Sequence, residues 1–136
     1  MQLNPYLYFD GQCAEAFRTY ERCLGGRIEV LLTHRETPAA ETTAPEWQDK
    51  IIHGRIRIGD ALVLASDAPP GHYTRPAGYS VTLRAKTAEE AERVFRDLGE
   101  GGTVTAAMAE TFFASRFGML TDRFGIPWMV LCEKAP

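Results

Sequence analysis

Long apolar runs are missing from this chain; the longest are strand-sized, which excludes an expected membrane-spanning helix. Residues 1–20 also lack the basic and apolar regions of a secretory signal, so a cytoplasmic protein without a membrane partner is expected. Charge of one sign is not concentrated anywhere: 15 Lys and Arg stand against 18 Asp and Glu, for a net charge of −3. That excludes the basic footprint of a nucleic-acid binder. Cysteine is scarce and odd in number, and Cys13 and Cys23 fall on the apolar face of an expected helix. With Cys132 they read as small core residues in a reducing compartment, not as disulfides or a metal site. There is no GxSxG, no P-loop, no CxxC pair and no HExxH, so no ready-made catalytic motif is present.

What the sequence does contain is a repeat. Ala14–Gly26 (AEAFRTYERCLGG) is echoed at Ala88–Gly99 (AEEAERVFRDLG), a shift that superposes Ala14 on Ala88, Glu15 on Glu89, Arg22 on Arg96, Leu24 on Leu98 and Gly25 on Gly99. Both copies place apolar residues at helical spacing: Cys13, Ala16, Phe17, Tyr20, Cys23 and Leu24, then Ala88, Ala91, Val94, Phe95 and Leu98. Both end in glycine, which closes a helix most cheaply in the left-handed conformation, and Thr87 with Glu90 has capping-box spacing. At 136 residues and 45% hydrophobic content the chain supports one domain with a core, built here from two halves.

The elements around the helices repeat in order. Leu3 to Phe9 reads as a strand with Leu3, Leu7 and Phe9 on one side and Asn4, Tyr6 and Tyr8 on the other. Arg27 to Thr33 is a second strand, and the polar, proline-bearing stretch from His34 to Asp49 a long loop around Trp47, of the kind that is usually a functional flap or disordered. Lys50 to Ile58 alternates Ile52, Ile56 and Ile58 against His53, Arg55 and Arg57; Gly59-Asp60 turns it into Ala61 to Ser66. Asp67 to Ala77 carries Pro69, Pro70, Gly71 and Pro76 and links the halves. The second half then gives strands at Gly78 to Ala85, Thr103 to Ala109, Phe112 to Thr121 and Ile126 to Glu133, with Asp122-Arg123-Phe124-Gly125 as a turn. The expectation is an α+β single domain of two βαβββ modules, residues 1–67 and 78–136, each sheet sheltering one face under its helix.

Several side chains point to binding. Asn4, Tyr6 and Tyr8 offer an aromatic wall with polar tips, or equally pack beneath the long loop; His53, Arg55 and Arg57 offer an imidazole and guanidiniums suited to an anion, or else a structural histidine and a solvated strand face. Trp47 either closes over a ligand or fills an interface. Trp128 is assigned to the core. Asp67 and Glu110 are carboxylates at strand ends, able to act as bases or to serve only as turn and solvent residues.

The runs Tyr8-Phe9-Asp10-Gly11-Gln12-Cys13-Ala14-Glu15-Ala16, Leu24-Gly25-Gly26, Ser66-Asp67 and Asp122-Arg123-Phe124-Gly125-Ile126-Pro127-Trp128 resemble the PhnB-like branch of the vicinal oxygen chelate superfamily. The superfamily includes glyoxalase I, extradiol dioxygenases, and fosfomycin- and bleomycin-resistance proteins. The resemblance implies paired βαβββ modules in a cupped sheet, commonly as a homodimer, with the concave side as the site. Members of the branch are often described as 3-demethylubiquinone 3-methyltransferase-like, yet no glycine-rich nucleotide loop supports a methyl-donor site here. Metal-using members carry His or Glu on the first and last strands of each module. The resemblance puts Asn4, Ser80 and Met129 at three of those positions and the fourth within Leu62 to Ser66, none of them a good donor. Two functions of different class are therefore expected. One is a metal-free binder or carrier of a small anionic or aromatic molecule, with no cofactor and with contacts from the tyrosines, Trp47, His53 or Arg55. The other is a divalent-metal-dependent lyase, isomerase or dioxygenase with a non-standard set such as His53, Asp67 and Glu110.

Overall fold

A computed structural model describes residues 1–135, so the end of the second expected module, residue 136, lies outside the described residues. The chain divides into two compact units, Met1–Thr74 and Arg75 onward. The first unit runs β1 (Tyr6–Phe9), α1 (Cys13–Leu24), β2 (Arg27–Thr33), β3 (Ile51–Ile58) and β4 (Ala61–Asp67). The second runs β5 (Val81–Arg84), α2 (Ala88–Leu98), β6 (Thr103–Ala109), β7 (Ala114–Thr121) and β8 (Pro127–Glu133). Their sheets have the same order, β1-β4-β3-β2 and β5-β8-β7-β6, and in each the first strand lies parallel to the last while the other pairs are antiparallel. The fold is α+β, with a βαβββ module in each unit.

Alternation decides which face of each sheet is covered. In the first unit Leu7, Phe9, Ile56, Val63 and Ala65 are buried with Cys13, Ala16, Phe17 and Tyr20 of α1. Phe9 meets Phe17 edge-on at 6.5 Å and Tyr20 at 6.4 Å between ring centroids. In the second unit Ala91, Val94 and Leu98 of α2 are buried, as are Leu120, Trp128 and Val130 of the sheet. Trp128 is a core residue, as its place in the alternation predicts.

Both helices approach a strand glycine through a phenylalanine. A Cβ on Gly54 would stand 2.9 Å from the ring of Phe17, and one on Gly118 would stand 2.6 Å from the ring of Phe95. Close packing leaves no slack for a methyl group there. The two phenylalanines are not equivalent in the sequence repeat, so the two units reached the same contact from different helix positions.

Several boundaries differ from the pattern-based expectation. The first strand begins at Tyr6, and Leu3 is fully exposed rather than core-facing. Pro5 has no amide hydrogen for a ladder, although its carbonyl accepts from Leu64 N at 3.0 Å. On β3 it is Ile51, not Ile52, that is buried, because the register slips between Leu32 and Thr33. β5 and β7 start later than expected; Phe112 and Phe113 precede β7 in a turn in which Thr111 Oγ1 accepts from Phe113 N and Ala114 N.

The helix ends also differ from each other. Gly25 is left-handed (φ 68°), but Gly99 is right-handed (φ −78°) and the left-handed residue comes later, at Gly101 (φ 75°). Thr87 Oγ1 accepts from Glu90 N, while the returning arm of Glu90 accepts from Lys86 N, one residue earlier than a capping box requires. The stretch from His34 to Asp49 is not featureless: three short 3-10 turns, His34–Glu36, Pro38–Thr42 and Pro45–Trp47, fill most of it. Gln48 Nε2 donates to the carbonyls of Ala40 and Thr43 and knits them together.

Candidate functional site

Side chains directly opposite in a ladder share a face, which makes the helix-free face of the first sheet readable from its register. One row runs Tyr6, Leu64, Arg55, Val30; Tyr8 stands beside Ser66, His53 beside Leu32, and Arg57 between Leu62 and Arg27. Four of the residues singled out by sequence, Tyr6, Tyr8, His53 and Arg55, thus come together on one surface. The tyrosine rings lie 4.9 Å apart and tilted by 40°, and both are exposed.

The residue that sequence reasoning missed is Glu29. β2 bulges between Ile28 and Val30, so Glu29 is the extra residue, standing between the partners of Arg57 and Arg55. Bulges re-aim side chains in this way. Glu29 Oε2 accepts from Arg57 Nε at 2.8 Å and from Arg27 Nη2 at 3.4 Å, while Oε1 lies 3.1 Å from Arg55 Nε. The hydrogen bond from Arg57, helped by the charges of Arg57 and Arg55 and the bond from Arg27, holds the Glu29 carboxyl below the usual carboxylate range despite some desolvation. Its pairing is therefore complete at neutral pH and is lost only as acid protonates it. The Arg55 contact is an ion pair without alignment: its Nε–H is buried and finds no acceptor. A lone acidic residue within Arg-Ile-Glu-Val-Leu-Leu-Thr was the available signal, but a bulge leaves no mark in the alternation.

The remaining candidates lie elsewhere. Asn4, two residues ahead of Tyr6, has a buried Oδ1 without a partner, as does Trp47 Nε1. Lys50 Nζ lies 5.8 Å from the Trp47 ring and donates to the Gly11 carbonyl, so the segment bearing Trp47 is tethered to the β1–α1 turn. In the second unit Thr82, Met129, Met119 and Ala106 share the face away from α2, with Thr82 Oγ1 3.9 Å from Met129 Sδ. Ser80 precedes β5 and is half-buried. Glu110 is an exposed partner of Lys134 at 3.5 Å.

Asp67 is the clear correction. It is buried, its Oδ1 accepts from Cys13 N at 2.9 Å and its Oδ2 from Ile51 N at 2.8 Å, so both oxygens are committed to backbone. It is neither a rim base nor a free ligand. Burial, and secondarily the nearby Asp67 charge, pushes the Cys13 thiol far above its ordinary range, which leaves it inert. Asp122 in the second unit is also buried and fully engaged, but locally: Oδ1 accepts from Phe124 N and Ile126 N, and Oδ2 from Trp128 Nε1 at 2.8 Å.

These buried aspartates belong to the motifs that carry the family resemblance. The sequence matches the 3-demethylubiquinone-9 3-methyltransferase family over residues 1–131. The chain belongs to that family. It is 34% identical to the protein YjdN of Escherichia coli K12 over 138 residues, covering 96% of this chain and 94% of that one. Among solved structures it is similar to protein PA1353 of Pseudomonas aeruginosa (TM-score 0.90, 43% identity, 99% of both chains). A PhnB protein of Bacillus cereus has the same fold (TM-score 0.79, 20% identity, 97% of this chain and 99% of that one). So does the fosfomycin resistance protein FosX of Mesorhizobium loti, at 9% identity (TM-score 0.63, 100% of this chain and 92% of that one). The family is the PhnB-like branch of the vicinal oxygen chelate superfamily.

The divalent ion that this superfamily implies does not fit the residues of this PhnB-like chain. At the positions that the resemblance assigns to ligands, Asn4, Ser80, Met129 and the Leu62 to Ser66 stretch supply a neutral amide, hydroxyls and a thioether, with no carboxylate or imidazole to hold the ion. The alternative set is not assembled either: Asp67 is consumed by two amides, Glu110 is paired with Lys134, and no three His, Cys, Asp or Glu side chains converge among the described residues.

Because Asp67 satisfies two buried amides, Asp67→Ala is expected to destabilise the PhnB-like fold by about 2–6 kcal/mol, at about 1–3 kcal/mol per unsatisfied group. Asp67→Asn, which keeps one acceptor, is expected to lose less. Urea unfolding followed by circular dichroism measures both; an Asp67→Ala midpoint equal to the wild type would show that the carboxylate does not hold the helix.

Proposed function

We propose that this PhnB-like protein binds a small anionic or aromatic molecule, without a metal, against the helix-free face of its first sheet, in a sequestration or carrier role. The observation that carries the reading is the placing of Arg55, whose side chain is 41% exposed, on the same face as an exposed tyrosine pair. The Arg55 Nε faces Glu29 at 3.1 Å, so an incoming oxyanion meets the terminal nitrogens, where a charge-assisted hydrogen bond contributes about 1.5–3 kcal/mol. Tyr6 and Arg55 flank Leu64 across two strand spacings, roughly 9–10 Å at the usual 4.7–4.9 Å per strand, a span suited to a single aromatic ring bearing an acid group. His53 adds an imidazole on the same face, two residues along β3.

The second partner is another copy of the chain. Val104 on the edge strand β6 and Phe112 and Phe113 beside β7 are exposed, Phe112 by 92%. Exposed apolar groups beside an uncharged edge strand favour self-association. We place the protein in the cytoplasm, where three free buried cysteines are at home.

For the ligand, a titration of 15N-labelled, chelator-treated protein with benzoate is expected to move the amide signals of β1 and β3. Arg55→Ala is expected to weaken binding roughly tenfold or more, the value of a hydrogen bond to a charged group. Benzoate and other aromatic acids leaving β1 and β3 unperturbed would remove the reading. For the dimer, sedimentation equilibrium is expected to give twice the 15.1 kDa chain mass, and Phe112→Asp with Val104→Asp to give the monomer. A wild-type monomer at all concentrations tested would refute it.

A further inference from the structure

The arginines of the first sheet are not charge-balanced. Arg27, Arg55 and Arg57 surround the single carboxylate of Glu29, and no other carboxylate lies within ion-pair distance of these three among the described residues. Two positive charges remain in excess, in a chain whose net charge is −3. The rest of the face is uncharged at this point: Tyr6, Leu62, Leu64 and Val30 are the register neighbours. Glu29 is mostly covered, while the Arg55 and Arg57 side chains are about two-fifths exposed, at 41% and 40%. The carboxylate therefore sits below and between the two guanidiniums.

The edge of each guanidinium that Glu29 occupies matters. A guanidinium has five N–H donors arranged as two forks, one including Nε and one formed by the two terminal nitrogens. Glu29 takes Nε of Arg57 and faces Nε of Arg55, so the terminal nitrogens of both have no acceptor among the described residues. Terminal forks side by side on one strand, two residues apart, are what a multiply charged oxyanion engages bidentately.

We propose that Arg55 and Arg57, spaced by Glu29 on the β2 bulge, form a receptor for a dianionic oxyanion, with a phosphate monoester as the chemical class. Glu29 is a positioning residue: it turns the arginines' terminal edges outward and trims three positive charges to two. The proposal rests on the reading that this face takes the ligand, and adds the charge state that the ligand's head must carry.

The test compares phenyl phosphate with benzoate, a dianion and a monoanion on the same ring, by NMR titration of the full chain at about pH 7.5, above the phosphate second pKa of about 6. Phenyl phosphate is expected to bind at least about tenfold more tightly, the additional charge-assisted bonds accounting for the gap. Arg57→Gln is expected to bring the two ligands within about twofold of each other, with the amide spectrum showing that the variant is folded. Should Arg57→Gln fail to fold, Arg57→Lys, which keeps the charge and loses the fork, is expected to narrow the gap as well. Equal affinities for the two ligands at β1 and β3 would overturn the dianion receptor while leaving binding at this face intact. No perturbation by either ligand would overturn both readings, and a gap that persists in the folded Arg57 variant would overturn the role of the arginine pair.

Discussion

A single buried carboxylate fixes the architecture of the first unit. Asp67, at the end of β4, accepts from the first amide of α1 and the first amide of β3, groups 54 and 16 residues away in sequence. A helix N-terminus leaves its first amides without partners, and the Gln12 side chain makes no capping bond, so the cap arrives from across the sheet. The negative charge also lies where the helix dipole favours it. Seating α1 in this way commits Leu7, Phe9 and Ile56 to the helix side and leaves Tyr6, Tyr8, Arg55 and Arg57 on the other. The open face is a consequence of the latch.

The second unit solves the corresponding problem differently. Thr87 caps α2 locally, and Asp122 spends its oxygens on its own turn and on Trp128. The two sheets share order and polarity, but their open faces have diverged: guanidiniums, a carboxylate and phenols in one, thioethers and a threonine in the other. A duplicated scaffold held by separate sets of internal bonds leaves each exposed face free to change. Asn4, Ser80 and Met129, the positions that the family resemblance assigns to metal ligands, lie outside those internal bonds.

Periodicity made the scaffold legible. The bounds of β2 and β6, the order of elements in both halves, and the assignment of Cys13, Cys23 and Trp128 to the core follow from alternation and helical spacing alone, because burial of one face leaves a regular trace. The same alternation puts Tyr6 and Tyr8 on one face of their strand and His53 and Arg55 on one face of theirs. What it could not show is where regularity breaks. The bulge that inserts Glu29 between two arginines and the slip that exchanges Ile52 for Ile51 are local departures set by pairing with β3, not by composition. The commitment of Asp67 to backbone amides depends on a contact between distant segments, so its sequence neighbourhood gives only a carboxylate at a strand end. His34 to Asp49 looked like an open loop because its order comes from side chains such as Gln48 and Glu36 closing short turns, which hydrophobic patterning does not record.

As proposed, a ligand held by the open face of the first sheet acts there and needs no ion. Hydrogen–deuterium exchange of chelator-treated protein, with and without a saturating aromatic acid, measures both at once. Slower exchange confined to β1, β3 and the β2 bulge, unchanged when divalent ions are added back, is the predicted result. Protection that appears only with an added ion, or that maps to β5 and β8 instead, would contradict it.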